Sequence, residues 1–184
     1  MTRFGKFPTF ALLLAAAALV ATIFGVLLAQ LSYSVGPSHF ETVLFPQNGI
    51  GADTAPRVGA ALVGAQGAWW AGVLIALPAF VYGLATVPRT ESYLAAGLGA
   101  IGLVFVLATL TALLGLIGGL AAAATGLLDG VLRIPEGPSR ADFLRAGFMQ
   151  DAGLVAAGLG AFLAFWPMIR ARRIDHARAG GSAA

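Results

Sequence analysis

Four long stretches of the chain contain no charged residue. A charge-free apolar run of roughly 18 residues or more is typical of a transmembrane helix, because the hydrocarbon layer is about 30 Å thick. The pattern predicts an all-α integral membrane protein, a bundle of four transmembrane helices over about residues 10–31, 60–87, 93–121 and 147–169. These spans form one domain, residues 1–173, and residues 174–184 are expected to be a flexible cytoplasmic tail.

The second and third stretches are longer than a bilayer requires. Residues 58–88 and 92–128 contain no charge, whereas roughly 20 residues cross the hydrocarbon. Trp and Tyr favour the two membrane interfaces. The residues expected to anchor the helices there are Trp69, Trp70, Tyr93 and Trp166. With these anchors, helices two to four extend beyond the outer face of the membrane.

The first extracytoplasmic loop, residues 32–57, is too apolar for a segment in water. Ser38 and Glu41 have the spacing of a helix-capping box. Apolar side chains recur at helical spacing, at Phe40, Val43 and Leu44. The pattern predicts a structured loop, with a short helix over residues 38–45 that ends before Pro46 and covers the projecting helix ends. The alternative is a segment lying on the lipid headgroups.

The fourth helix is expected to begin about ten residues before the bilayer does. Ser139 can cap its first turn, and Asp142 follows at the position that completes a capping box. Its outer end therefore projects with those of helices two and three.

Small side chains are expected to hold the helices together, because lipid provides no hydrophobic force between them. The residues expected to mediate this packing are Gly64, Ala68, Gly72, Gly115, Gly119 and Gly153. Such rows fit contacts within the monomer, and they equally fit a homo-oligomer or a larger complex. Pro78 predicts a kink in the second helix, which the bulk of Phe80 would fill.

A polar layer is expected at the outer edge of the hydrocarbon. Its candidate members are Gln30, Gln66, Gln150 and Asp151. They could form a hydrogen-bonded ring, and an ionisable residue so close to lipid is a candidate for function. The alternative is that Asp151 simply faces water at the end of the apolar part of helix four, while the glutamines tie the helices together.

Composition supports the membrane class and argues against several others. Hydrophobic residues make up 59% of the chain and charged residues 10%, the net charge is +3, and cysteine is absent. Disulfide and thiol chemistry are thereby excluded, and no clustered basic face indicates nucleic acid. The Ala and Gly content indicates a bacterial source. Seven Lys and Arg residues on the side of the termini against four on the other predict cytoplasmic termini.

Candidate chemistry is sparse. The two histidines, His39 and His176, are expected on opposite sides of the membrane, so they cannot share a haem or another metal. His39 is expected to be a polar residue at a helix start. No mid-membrane ionisable residue indicates ion translocation, and no cofactor is expected. An enzyme is the least favoured class, because Asp151 lacks a basic or nucleophilic neighbour in the sequence.

Three segments resemble blocks in a set of bacterial proteins with four membrane spans and no assigned activity. The segments are "SYSVGPSHFETVLFPQNGI", "PRVGAALVGAQGAWWAG" and "RAGFMQDAGLVAAGLGAF". Those proteins read "MHN" followed by "SY" or "GG" where this chain has residues 149–153. The histidine is replaced here by Gln150, so any role it has in those proteins does not transfer. The resemblance implies the four-span fold and no activity.

The sequence therefore favours a non-enzymatic accessory or interaction subunit of a larger assembly in the cytoplasmic membrane of a bacterium. Its expected partners are the lipid bilayer and, through small-residue helix faces, other proteins or copies of itself. The alternative is a membrane protein that binds a small molecule, a quinone or a lipid at the polar layer around Asp151.

Overall fold

The described part of the chain is built mainly from long helices. The computed structural model describes residues 5–134 and 136–181, and Arg3, one of the counted cations, lies outside them. The long helices are α1 (Lys6–Val35), α2 (Pro56–Thr86), α3 (Thr90–Thr125), α4 (Arg140–Leu163) and α5 (Phe165–Gly181). No strand occurs in the described residues. Helices α1, α2 and α3, together with α4 and α5 over Arg140–Ala179, are long and apolar enough to cross a membrane.

Proline and glycine set several helix boundaries. Pro56 occupies the first position of α2, where its missing N–H costs nothing. Gly126 follows the end of α3 with φ 67°, a left-handed conformation that glycine adopts without strain. Pro78 lies inside α2, and helix continues on both sides of it, while Phe80 beside it is fully buried.

A short helical segment occupies the first connection. Pro37–His39, Phe40–Leu44 and Phe45–Gln47 follow one another without interruption, and we call residues 37–47 the loop helix. Its middle part has π-helical hydrogen bonding, in which the Phe45 N–H donates to the Phe40 carbonyl. The loop helix is longer than the expected 38–45 and does not end before Pro46. It starts at Pro37, and Ser38 makes no capping hydrogen bond to it.

The fourth long segment is interrupted. Ala164 separates α4 from α5, three residues before Pro167, which lacks the N–H that would bond the Leu163 carbonyl. Beyond this point α5 remains helical to Gly181. The expected flexible tail is thus helical over residues 174–181, and residues 182–184 lie outside the described part.

The described chain divides into two units, each containing parts of several helices. The loop unit comprises residues 22–68 and 108–156, and the terminal unit contains residues up to 21, 69–107 and those from 157. Phe40 and Phe45 of the loop helix form a buried cluster in the loop unit with Ala60 and Ala146. Tyr93, Phe80 and Met168 are fully buried in the terminal unit.

Candidate functional site

The polar residues singled out by the sequence all lie in the loop unit, but they do not form a ring. Gln30 bonds elsewhere: its side-chain amide donates to the Arg57 carbonyl at 2.7 Å. Arg57 returns a hydrogen bond from its guanidinium to the Gln30 carbonyl at 3.0 Å and donates to the Ser34 hydroxyl at 2.9 Å. The same guanidinium lies 5.0 Å from the centre of the Tyr33 ring. This cluster joins the end of α1 to the start of α2.

The other three members of the predicted layer are dispersed. Gln66 and Asp151 are exposed and Gln150 is half-buried. Within residues 5–134 and 136–181, no hydrogen bond joins any two of the four. Gln66 lies nine residues beyond Arg57 on α2, which is a rise of about 13 Å. Because the Gln30 amide is bound at Arg57, the Gln66 side chain is too far along the helix to bond it.

A cluster that the sequence analysis did not assemble joins the loop helix to α4. Ser38 donates to the Asp142 carboxylate from both its backbone N–H, at 3.0 Å, and its hydroxyl, at 2.8 Å. The Ser38 hydroxyl accepts a hydrogen bond from the Ser139 N–H at 2.9 Å. Ser139 in turn caps α4 by accepting from the Asp142 N–H at 3.2 Å. The expected capping box is therefore half made, because the Ser139 N–H donates to the Ser38 hydroxyl and not to the Asp142 carboxylate.

His39 lies in the first turn of the loop helix, and its side chain is buried. Only 7% of its surface is accessible, and its ring lies edge-on to Phe143 with ring centres 5.2 Å apart. Its Nδ1 has no hydrogen-bond partner in the described residues. Burial lowers the pKa of His39, while the nearby carboxylates of Asp151 and Asp142 act in the opposite direction. The imidazole is therefore held in its neutral form.

These groups are not arranged for nucleophilic catalysis. A catalytic triad needs a histidine bonded to both the nucleophile and a carboxylate, but the Asp142 carboxylate bonds Ser38 directly. Among the described residues, no group of three or more His, Asp or Glu side chains could hold a metal ion. The cluster of Ser38, Ser139 and Asp142 can position the loop helix, since it ties backbone and side-chain groups of both segments together.

The six predicted packing residues all contact neighbouring helices within the chain. In the loop unit, Gly64 lies against the backbone of Gly25, and Gly115 and Gly119 lie against backbone carbonyls of α4. Ala68 also meets Gly25, and Gly153 meets Leu28 of α1. In the terminal unit, Gly72 contacts α1 near Ala17. The sequence rows therefore serve contacts inside the monomer.

The four aromatic residues chosen as anchors differ in their surroundings. Trp69, Trp70 and Trp166 are exposed, as side chains facing lipid or headgroups would be. Tyr93 differs: it is 0% exposed, and its hydroxyl donates to the Phe80 carbonyl at 3.0 Å. The Tyr93 side chain is thus packed inside the terminal unit and not on its exposed surface.

Asp175 forms a second network that the sequence did not suggest, because it lies in the segment read as a tail. The carboxylate is 4% exposed and accepts from the Arg89 N–H at 3.2 Å and from the Ser92 hydroxyl at 2.8 Å. It therefore lies at the start of α3, where a helix dipole favours negative charge. A single acidic residue between "RARRI" and "HAR" was the only sequence signal for this contact.

Comparison of the chain with known protein families, with curated proteins and with solved structures finds no match.

Proposed function

We propose that this protein is a non-enzymatic accessory subunit of the bacterial cytoplasmic membrane, and that it offers an external docking surface to a larger membrane assembly. In this arrangement both termini are cytoplasmic. The loop helix and the connection between α3 and α4 lie on the opposite side. The distribution of cations supports the orientation, since Arg170, Arg172, Arg173 and Arg178 would all face the cytoplasm.

Helix length supports a projection beyond the bilayer. The 36 residues of α3 rise about 54 Å at 1.5 Å per residue. To fit such a helix into about 30 Å of hydrocarbon would require a tilt of more than roughly 50°, whereas membrane helices tilt up to about 40°. Part of α3 is therefore expected to stand outside the lipid.

The observation that carries the docking role is a set of exposed apolar side chains on the connection that follows α3. We call Leu127, Val131 and Leu132 the connection patch. Leu127 is 79% exposed and Val131 76%, and neither lies in a helix. If the connection lies outside the lipid, a contiguous apolar patch of this kind favours contact with another protein.

Local contacts hold the first turn of the connection that carries the patch. The Asp129 N–H donates to the Gly126 carbonyl at 2.8 Å, and the Asp129 carboxylate pairs with Arg140 at the start of α4. These contacts support the proposal, because a preorganised turn loses less conformational entropy when a partner binds it.

Site-specific photo-cross-linking in cells tests this proposal. A photoreactive amino acid at Leu127 or Val131 should give a protein adduct of one defined mass. The same amino acid at Asp53, which is exposed on the other connection of the loop unit, should not. The docking role would be contradicted if neither Leu127 nor Val131 gave an adduct and the protein were recovered in mild detergent only as a monomer.

A second candidate is the binding of a small polar molecule or quinone in the loop unit. The observation that favours it is that two buried polar atoms, Ser32 Oγ and His39 Nδ1, each lack a partner in the described residues. A ligand that reached His39 would satisfy a group that is costly to bury alone. A soluble quinone should then raise the unfolding temperature of the native protein but not of His39→Leu. Equal shifts for both proteins would exclude binding at this position.

A further inference from the structure

An open groove of about 630 Å³ lies in the terminal unit, between the first half of α3 and the start of α5. Its α3 wall includes Ala95, Gly99 and Gly102, and its α5 wall includes Trp166 and Arg170. Nearly all of its surface is apolar. The groove is separate from the connection patch and from the cluster around Asp142, both of which belong to the loop unit.

Two glycines, Gly99 and Gly102, line the groove on its α3 side. A Cβ atom built on Gly99 or Gly102 would have nothing within 4 Å. By contrast, a Cβ on the neighbouring Gly97 would meet the side chain of Leu13. The face of α3 that carries Gly97 is therefore filled by α1, while the face that carries Gly99 and Gly102 is left open. A side chain at either position would begin in open space as far as the described residues are concerned.

One cation lies in the otherwise apolar groove. The Arg170 guanidinium lies 5.6 Å from the centre of the Trp166 ring, which holds it at the groove by a cation–π contact. The salt bridges of the described residues are Arg89–Glu91 and Arg140–Asp129, so the charge of Arg170 has no partner carboxylate. Asp175, one helical turn further on, is buried and bonded to Ser92. The groove thus combines apolar walls with an unneutralised positive charge.

The length of the groove matches one leaflet of a bilayer. Its α3 wall extends from Ala95 to Val106, a rise of about 16 Å, which is close to half of the roughly 30 Å hydrocarbon thickness. An acyl chain of a single lipid extends over one leaflet, so its length fits the groove.

We propose that the groove binds one anionic phospholipid, with an acyl chain against Gly99 and Gly102 and the phosphate paired with Arg170. A guanidinium donates two parallel hydrogen bonds to a phosphate, which is stronger than its contact with water. Trp166 lies where an interfacial aromatic residue is favoured. Basic pockets between membrane helices are recognised sites for anionic headgroups. This proposal concerns a different surface from the docking role and does not depend on it.

Native mass spectrometry of the full-length protein in mild detergent tests the proposal. The probes are dioleoyl phosphatidylglycerol and dioleoyl phosphatidylcholine, added separately at equal concentrations, with inorganic phosphate as a competitor. The wild-type protein should retain one phosphatidylglycerol molecule with an affinity at least roughly tenfold above that for phosphatidylcholine. Inorganic phosphate should not displace it, because it lacks the acyl chain.

Two pairs of variants locate the binding. Gly99→Leu places a side chain in the groove at a position where a Cβ meets no atom within 4 Å, and it should abolish retention of both lipids. Its matched control is Gly158→Leu, which also adds a side chain where nothing lies within 4 Å. Arg170→Gln should lower the affinity for phosphatidylglycerol about tenfold, to the level of phosphatidylcholine. Its control is Arg173→Gln, which removes the same charge from the same helix.

Several results would overturn the proposal. These are equal affinity of the wild-type protein for the two lipids, equal effects of Arg170→Gln and Arg173→Gln, or unchanged retention in Gly99→Leu. If the wild-type protein forms a dimer, and Gly99→Leu abolishes the dimer without changing lipid retention, the occupant of the groove is a second copy of the chain. Gly102→Leu serves as a second groove-filling variant if Gly99→Leu is not monodisperse and helical.

Discussion

Ser38 and Asp142 lie 104 residues apart in the sequence and are joined by two hydrogen bonds to one carboxylate oxygen. A carboxylate that accepts from a backbone N–H and a hydroxyl forms charge-assisted bonds, which are stronger than neutral ones. The Ser139 N–H adds a third bond to the Ser38 hydroxyl. At the scale of single residues, this cluster is the main polar attachment of the loop helix to α4.

Removal of the Asp142 carboxylate should therefore loosen the loop helix. We expect Asp142→Ala to lower the free energy of unfolding by about 1–3 kcal/mol, since Ser38 loses its acceptor. It should also speed the modification of a cysteine placed at Phe40, which is fully buried. The measurements are unfolding in mixed detergent micelles and the rate of maleimide labelling. Asp151→Ala is the control, since it removes an exposed carboxylate; equal effects of the two changes would refute the assignment.

His39 makes the stability of the loop unit depend on pH. Its pKa is lowered by burial in the folded protein, whereas the unfolded chain has the ordinary value of about 6.5. Below that pH the unfolded chain binds more protons than the folded one, so stability should fall as the pH decreases. Above it both forms are neutral and no dependence is expected. The carboxylates of Asp142 and Asp151 oppose the shift but do not outweigh burial.

His39→Gln should flatten the loss of stability between about pH 6.5 and pH 5. Unfolding temperatures measured in detergent across this range provide the test. His176→Gln, which replaces an exposed histidine of α5, should leave the profile of the wild-type protein unchanged. If the two variants have the same profile, the buried histidine is not the group responsible.

At the scale of whole elements, backbone contact between helices replaces side-chain packing at several places. Gly64 of α2 lies against the backbone of Gly25, and a Cβ there would also lie 2.9 Å from the Cβ of Ala29. Close approach of this kind is the main source of helix association in lipid. The pairing of α1 with α2 in the loop unit thus depends on the absence of two side chains.

Gly64→Ala should lower the free energy of unfolding by about 1–3 kcal/mol, as overpacking does in well-packed cores. Gly67→Ala is the matched control on the same helix, because a Cβ there meets nothing within 4 Å. Reversible unfolding in mixed micelles measures both. If Gly67→Ala lowered the free energy of unfolding as much as Gly64→Ala, helix propensity or lipid contact, and not the close approach to α1, would determine the destabilisation.

Helix α5 is retained in the terminal unit by Asp175. Asp175→Ala removes the acceptor of the Arg89 N–H and the Ser92 hydroxyl. Each charge-assisted bond contributes about 1.5–3 kcal/mol, so local opening of α5 should become at least roughly tenfold more frequent. We expect trypsin to cut after Arg172 and Arg173 faster by a similar factor.

The control for this experiment is Glu91→Ala. Glu91 is exposed and pairs only with Arg89 across 3.4 Å. Its removal should leave the rate of tryptic cleavage near that of the wild-type protein. Cleavage of Asp175→Ala at the wild-type rate would mean that other contacts, such as the Arg172 bond to Tyr82 at 3.3 Å, hold α5 in place.

At the scale of the whole molecule, the four long apolar helical segments were predictable, because hydrophobicity is a local property of the sequence. The contacts of Ser38 with Asp142 and of Asp175 with Ser92 were not, since each joins residues more than 80 positions apart. The predicted polar layer assumed that equal depth brings side chains together. Gln30 instead forms hydrogen bonds with Arg57, because the guanidinium and the backbone carbonyl of Arg57 both lie beside it at the helix end.

Cysteine labelling determines the orientation of the molecule, and the chain has no cysteine of its own. In intact cells, a membrane-impermeant maleimide should modify Asp53→Cys and leave Arg178→Cys unmodified. After permeabilisation both should react, which controls for accessibility. The opposite pattern would place the termini outside, and the docking role of the connection patch would then have to be assigned to the cytoplasmic side.

The bonds between Gln30 and Arg57 also have a consequence for the chain between them. They hold the end of α1 beside the start of α2 independently of the peptide backbone, while residues 51–55 form a largely exposed turn. A protease that nicks this turn would cut the polypeptide but not release a fragment, because both new ends remain attached to packed helices. The nicked protein would still travel through a native gel as one particle.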